Sequence, residues 1–163
     1  MCNNKEMIKT KFMNDKLSPD IKTNDINFGV NQESYIQKQA ELYFDIKLNK
    51  TKNKFNVIDY FNDKYLIELK CRRCYRMAYD TTMIGQNKID AMKNGLTNGM
   101  KCICLFNFIN GLYYYEITKD SILNIEENMF GGRSDRGDNE YKKSGYSYIP
   151  TKLLTKINID QYI

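Results

Sequence analysis

The chain has 163 residues, with 42% hydrophobic and 28% charged side chains, the balance of one soluble globular domain with its own core. Its net charge of +5 is mildly basic and suits a nucleic-acid partner without requiring one. Histidine is absent, which excludes Ser-His-Asp hydrolases, Cys-His proteases, HNH-type nucleases and His-ligated zinc enzymes, all of which need an imidazole.

Residues 1 to about 28 are polar and read as an N-terminal arm, with Ser18-Pro19-Asp20 as a turn or helix-start signal; residues 29–163 read as a single domain. The stretch lacks the apolar segment of a signal peptide, and no apolar run approaches the roughly 20 residues a membrane helix needs. The chain is therefore expected to act inside a cell, without a membrane partner.

The first helix is expected from about Asn31, a good N-cap, to Phe44, with Ile36, Ala40, Tyr43 and Phe44 forming its buried stripe. Glu33 falls on that stripe, either as a first-turn acid complementing the helix dipole or as an acid aimed at a site on the sheet. A short strand over 45–50 and a basic turn over 50–54 lead to a β-hairpin over 55–70. A second helix is expected from about Thr82 to Asn94, with Thr81 as cap and Gly95 as stop. Strands over 101–108 and 112–117 follow, joined at Asn110-Gly111, a strong hairpin signal. A short helix over 118–128, a flexible basic loop over about 131–145, a strand over 146–149 and a closing helical turn over 150–157 complete the chain. The order is that of a mixed sheet with helices packed on it, an α/β arrangement.

The five cysteines are Cys2, Cys71, Cys74, Cys102 and Cys104. An odd count argues against a disulfide framework. Cys71-Arg72-Arg73-Cys74 with Cys102 and Cys104 suggests a structural zinc site, but alternating cysteines in an apolar strand usually pack as small hydrophobes.

The hairpin concentrates the chemistry. With Asp63-Lys64 as a two-residue turn, Asn62 faces Tyr65 and, counting outward, Asp59 faces Glu68 with Cβ atoms ~5 Å apart. Lys70 shares the face of Glu68, and a slip of one residue would dismantle the arrangement. Tyr65, Ile67, Leu69 and Cys71 make the opposite face apolar. Two adjacent carboxylates repel unless a cation lies between them, and oxygen donors with retained waters suit Mg²⁺ or Mn²⁺.

Asp59, then Glu68-Leu69-Lys70, between a helix carrying Glu33 and a helix carrying Gln86 and Lys88, resembles the PD-(D/E)xK nuclease superfamily over about residues 30–117. Ile58 stands where that pattern has proline. The resemblance implies a restriction-endonuclease-like αβββαβ core, a central mixed sheet flanked by helices. It also implies a Mg²⁺-dependent endodeoxyribonuclease, with Mn²⁺ able to substitute, leaving 5′-phosphate and 3′-hydroxyl ends. Asp59, Glu68 and the Leu69 backbone carbonyl would hold the metal, and Glu33 would support it. Lys70 would orient the attacking water. Gln86 falls where a RecB-like subset carries a glutamine, but Asp90 replaces the tyrosine found four residues on in that subset. Lys88 would neutralise a substrate phosphate or be a surface lysine. Arg72, Arg73 and Arg76 are placed to hold phosphates, or form a charged loop. Thr81 and Thr82, at an expected helix N-terminus, would bind phosphate or simply cap. DNA is the expected partner, with a homodimer as a further expectation. The composition, rich in Lys, Asn, Ile and Tyr, is that of an AT-rich genome and suits a large DNA virus, a phage or a low-GC bacterium. The competing readings are a non-catalytic nucleic-acid-binding module and a structural zinc protein.

Overall fold

The computed structural model describes residues 19–53, 56–128 and 145–160, with side chains from residue 32 onward. The chain divides into two compact units, Met1–Tyr35 and Ile36–Ile163. The described elements are α1 (Pro19–Phe44), β1 (Asn49–Lys50), β2 (Tyr60–Phe61), β3 (Tyr65–Cys71), β4 (Thr81–Gly85), α2 (Gln86–Thr97), β5 (Lys101–Phe108), β6 (Gly111–Ile117), β7 (Glu126–Asn128), β8 (Tyr146–Pro150) and β9 (Thr155–Lys156). Short 3₁₀ turns lie at Arg76–Ala78, Ser121–Asn124 and Thr151–Leu153. Among the described residues, no helix is long and apolar enough to cross a membrane.

The main sheet has the order β1-β2-β3-β5-β6-β9. β3 and β5 pair in parallel and the other neighbours are antiparallel. This is the mixed sheet of the αβββαβ core, with β4 inserted before the second helix and further strands after it. The parallel pair lies at the centre because both its faces are covered. Ile67, Leu69, Ile103 and Leu105 pack with Ile36 and Ala40 of α1 on one face. Cys102, Cys104, Phe106 and Phe108 pack with Ile89 and Met92 of α2 on the other. β4, β8 and β7 form a separate three-stranded sheet, whose Ile84 and Ile149 join that second cluster.

α1 begins at Pro19, suited to the first helical turn, and runs through the expected start at Asn31. Residues 19–30 lack a repeating apolar pattern, so hydrophobic periodicity does not reveal them as helix. The helix ends where Asp45 takes a left-handed conformation (φ 51°). The Ile46 amide then donates to the Glu41 carbonyl at 3.0 Å, closing a Schellman-type cap. Glu41 Oε1 accepts from the Leu48 amide at 2.8 Å, so the helix also anchors the segment entering β1. Of the strand expected over 45–50, only Asn49–Lys50 is paired as a strand.

The second helix departs most from expectation. It begins at Gln86, and Thr81 and Thr82 lie on strand β4. The physical reason is remote: Thr81–Gly85 pairs antiparallel with residues 146–150, Thr81 opposite Pro150 and Gly85 opposite Tyr146. β-branched Thr81, Thr82 and Ile84 suit that edge. There is no helix N-terminus at Thr81 and Thr82 to receive a phosphate. Gly95 does not stop the helix either. It is buried inside α2, and the chain turns at Gly99 (φ +78°).

The hairpin β5–β6 forms as expected, with Phe108 opposite Gly111. Ile109-Asn110 are the two loop residues, one position earlier than the Asn-Gly signal suggests. The helix expected over 118–128 is a 3₁₀ turn followed by β7, and the closing turn over 150–157 is a 3₁₀ turn followed by β9. Arg133, Arg136, Lys142 and Lys143 of the expected basic loop lie outside the described residues.

Candidate active site

The β2–β3 register is the one the two-residue turn requires. Tyr60 pairs with Ile67 and Phe61 with Leu66, and the Asn62 amide donates to the Tyr65 carbonyl at 3.1 Å. Asn62 Oδ1 accepts from the amides of Lys64 and Tyr65, each at 2.8 Å, which fixes the turn. Extending the register places Asp59 opposite Glu68.

β2 peels away from β3 at that point. The Ile58 carbonyl accepts from Thr51 Oγ1 at 2.9 Å. The Leu69 amide, next in line for a ladder partner, donates to Asp59 Oδ2 at 2.9 Å. The Asp59 carboxylate thus replaces a main-chain acceptor and is pinned beside the Glu68-Leu69 peptide. This anchor supplies orientation that a strand residue on an open edge would lack.

Glu68 is fully buried, at 0% exposure. Its face of β3 is roofed by α2, whose Lys88 reaches it. Lys70 Nζ donates to Oε1 at 2.5 Å, and Lys88 Nζ of α2 lies 3.2 Å from Oε2. Among the described residues Oε2 nevertheless has no hydrogen bond: the Lys88 ammonium is close enough for Coulomb attraction but off the hydrogen-bonding direction. An ionised carboxylate in such a place requires paired charge, and two lysines provide it.

Burial pushes the Glu68 carboxyl above its ordinary range. Lys70 opposes this, Asp59 adds to it by like-charge repulsion, and Lys88 opposes it more weakly. A raised folded pKa means that the native state holds the proton more tightly than the unfolded chain. Its contribution to stability is present at acidic pH and is lost as pH rises from about 4.5 through the raised value. Stability measured by urea denaturation against pH is therefore expected to fall for the wild type relative to Glu68→Gln across that window. Parallel curves would contradict the assignment.

The other candidate residues separate into groups. Gln86 is buried and turned toward the second sheet: Ser147 Oγ donates to its Oε1, and its Nε2 donates to Asp90 Oδ1 at 3.0 Å. Asp90 therefore fills the position four residues on with an acceptor. Ser147 was not among the residues the sequence singled out, because its contact lies 61 positions away. Gln86→Ala is expected to destabilise the protein by about 1–3 kcal/mol in urea denaturation, since it leaves buried Ser147 without its acceptor.

Arg72 is directed into the protein. Its Nη2 donates to the Met83 carbonyl, tying β3 to β4, and burial lowers its pKa. Arg76 Nη1 donates to the Thr151 carbonyl at 2.7 Å, and its guanidinium lies 5.2 Å from the centre of the Tyr113 ring. Arg73 is exposed, as are Tyr75 and Tyr79. Glu33 is half-buried on α1, within the unit Met1–Tyr35.

Cys102 and Cys104 are fully buried in the core. Cys104 Sγ lies 3.6 Å from Met92 Sδ. Burial pushes the Cys102 thiol up to about 11 and the Cys104 thiol higher still, which disfavours the thiolate a zinc ion needs. The oxygen donors fit a hard cation better. Buried Glu68 Oε2 lacks a hydrogen bond, and Asp59 is held alongside. Among the described residues, no three Cys, Asp or Glu side chains gather at a metal-holding spacing, so these two carboxylates are the candidate side-chain donors. Mg²⁺ retains several waters and accepts such a sparse set.

A family model described as "Phage putative PDDEXK endonuclease" matches residues 25–157. No curated protein matches the chain.

Proposed function

The chain belongs to the phage PDDEXK endonuclease family, and from that premise we propose that it is a Mg²⁺-dependent endodeoxyribonuclease. The observation that carries this reading is the buried Glu68 carboxylate, with one oxygen lacking a hydrogen bond, beside Asp59 and between Lys70 and Lys88. A purely structural scaffold gains nothing from burying an acid under two lysines, because a well-packed apolar side chain is generally no less stable there.

Asp59, Glu68 and the Leu69 carbonyl would hold the ion. Mg²⁺ would supply Lewis acidity, acidifying the attacking water and offsetting charge on the phosphate. Lys70 stands at the boundary of the site: its side chain is 30% exposed while its ammonium bonds Glu68. That placement lets one amine hold the carboxylate in position and meet a water or phosphate oxygen arriving from solvent. The proposed supporting role of Glu33 rests on the superfamily resemblance alone. Gln86 is better placed to position α2 against β8 than to touch substrate.

The test is incubation of supercoiled plasmid and branched DNA with Mg²⁺, Mn²⁺ or EDTA. Nicking that requires the metal is expected. DNA binding without cleavage under every metal condition would instead establish a binding module.

A further inference from the structure

The two ammonium groups facing Glu68 are held differently. Lys70, two residues along the same strand, makes a 2.5 Å hydrogen bond to Oε1. Lys88 makes none to Oε2, although its Nζ is 3.2 Å away. Its one hydrogen bond among the described residues is a long one, 3.4 Å, to the Asn56 carbonyl. Lys88 also stands against the local preference of its helix. It is the third residue of α2, whose first turn contains no acid, and unpaired amides make a helix N-terminus unfavourable for a cation. The attraction of Glu68 offsets that, and the Lys88 side chain is only 12% exposed.

We propose that Lys88 is an exchangeable counter-charge. In the metal-free protein its ammonium neutralises the Glu68 oxygen that the divalent cation would occupy. Cation binding then displaces it and frees it to meet the substrate phosphate. The inference rests on the reading of Glu68 as a metal ligand. Its physical basis is that an ammonium and a divalent cation repel strongly when both sit within about 3 Å of one carboxylate oxygen. Lys70 is the unsuitable partner for exchange, because its hydrogen bond is short and its place on β3 keeps it beside Oε1. Metal affinity therefore carries a penalty set by how firmly Lys88 holds the site, and removing Lys88 lifts it.

Mn²⁺ binding to the full chain without DNA, measured by calorimetry and by electron paramagnetic resonance, tests this. Lys88→Met and Lys88→Gln are expected to bind Mn²⁺ about tenfold tighter than wild type, and Lys88→Arg, which keeps the charge, like wild type. The metal-free neutral variants should melt below wild type and gain more in Tm on Mn²⁺ saturation. Equal or weaker Mn²⁺ binding by both neutral variants overturns the exchange. So does failure of both to fold even with Mn²⁺ present. Glu68→Gln separates the two readings. If it abolishes Mn²⁺ binding while the Lys88 variants match wild type, Glu68 remains a ligand and only the exchange is lost. If wild type binds no Mn²⁺, the metal-ligand reading falls and the exchange with it.

Discussion

Asp59→Asn, Glu68→Gln and Lys70→Met are each expected to reduce metal-dependent plasmid nicking by about 10²–10³-fold or more, the usual scale for removing one group that stabilises transition-state charge. The structure makes these substitutions informative because each removes charge while keeping shape. Asn at position 59 still offers an oxygen to the Leu69 amide, which Asp59 accepts at 2.9 Å, so the strand junction should persist without its negative charge. Gln at position 68 fills the same buried volume. Met at position 70 leaves Glu68 still facing Lys88 at 3.2 Å, so the buried carboxylate is not stranded. Double variants should lose little more than single ones, since groups acting on one reacting centre are strongly non-additive. Nicking rates together with unchanged circular dichroism would check this. Wild-type rates in Asp59→Asn would remove the carboxylate pair from the chemistry.

Gly95→Val is expected to destabilise the protein by roughly 2–3 kcal/mol, well beyond Gly99→Ala, expected to cost about 1–2 kcal/mol. The two glycines lie four residues apart and fail for different reasons. A Cβ at Gly95 would stand 2.5 Å from Leu66 Cδ1 and 3.0 Å from Cys102 Sγ, so either these side chains give way or helix α2 lifts off β3 and β5. The Leu66 methyl can swing aside, which keeps the effect short of unfolding, but the branched valine leaves little room for relaxation. Gly99 has open space for a Cβ, and its difficulty is the left-handed φ of +78°. Urea midpoints would check the order. Because Lys88 rides on the same helix, Gly95→Val should also weaken nicking, whereas Gly99→Ala should not.

Much of the core was legible because it depends on local pattern. The hairpin register could be counted from Asp63-Lys64, because a two-residue turn fixes every pairing outward from it. Ile36 and Ala40 announced the buried face of α1 by their spacing. The alternation in β5 assigned Cys102 and Cys104 to the core. The length of β2 was not legible: Val57 is 38% exposed, and the Asp59 carboxylate rather than Ile58 meets the next amide of β3. The second sheet was invisible too. Thr81–Gly85 becomes a strand through β8, more than sixty residues later, and no local propensity encodes that partner.

The sequence by itself determined which groups could meet. Strand alternation puts Glu68 and Lys70 on one face, and the turn brings Asp59 opposite, because backbone geometry propagates register over short distances. Only the tertiary structure decided their environment. The packing of α2 across β3 buries Glu68, brings Lys88 to its second oxygen and turns Gln86 toward Ser147. Those outcomes depend on how an entire helix seats on a sheet, through contacts such as Gly95 against Leu66. Burial and charge pairing are properties of that assembled packing, so no spacing along the chain could state them.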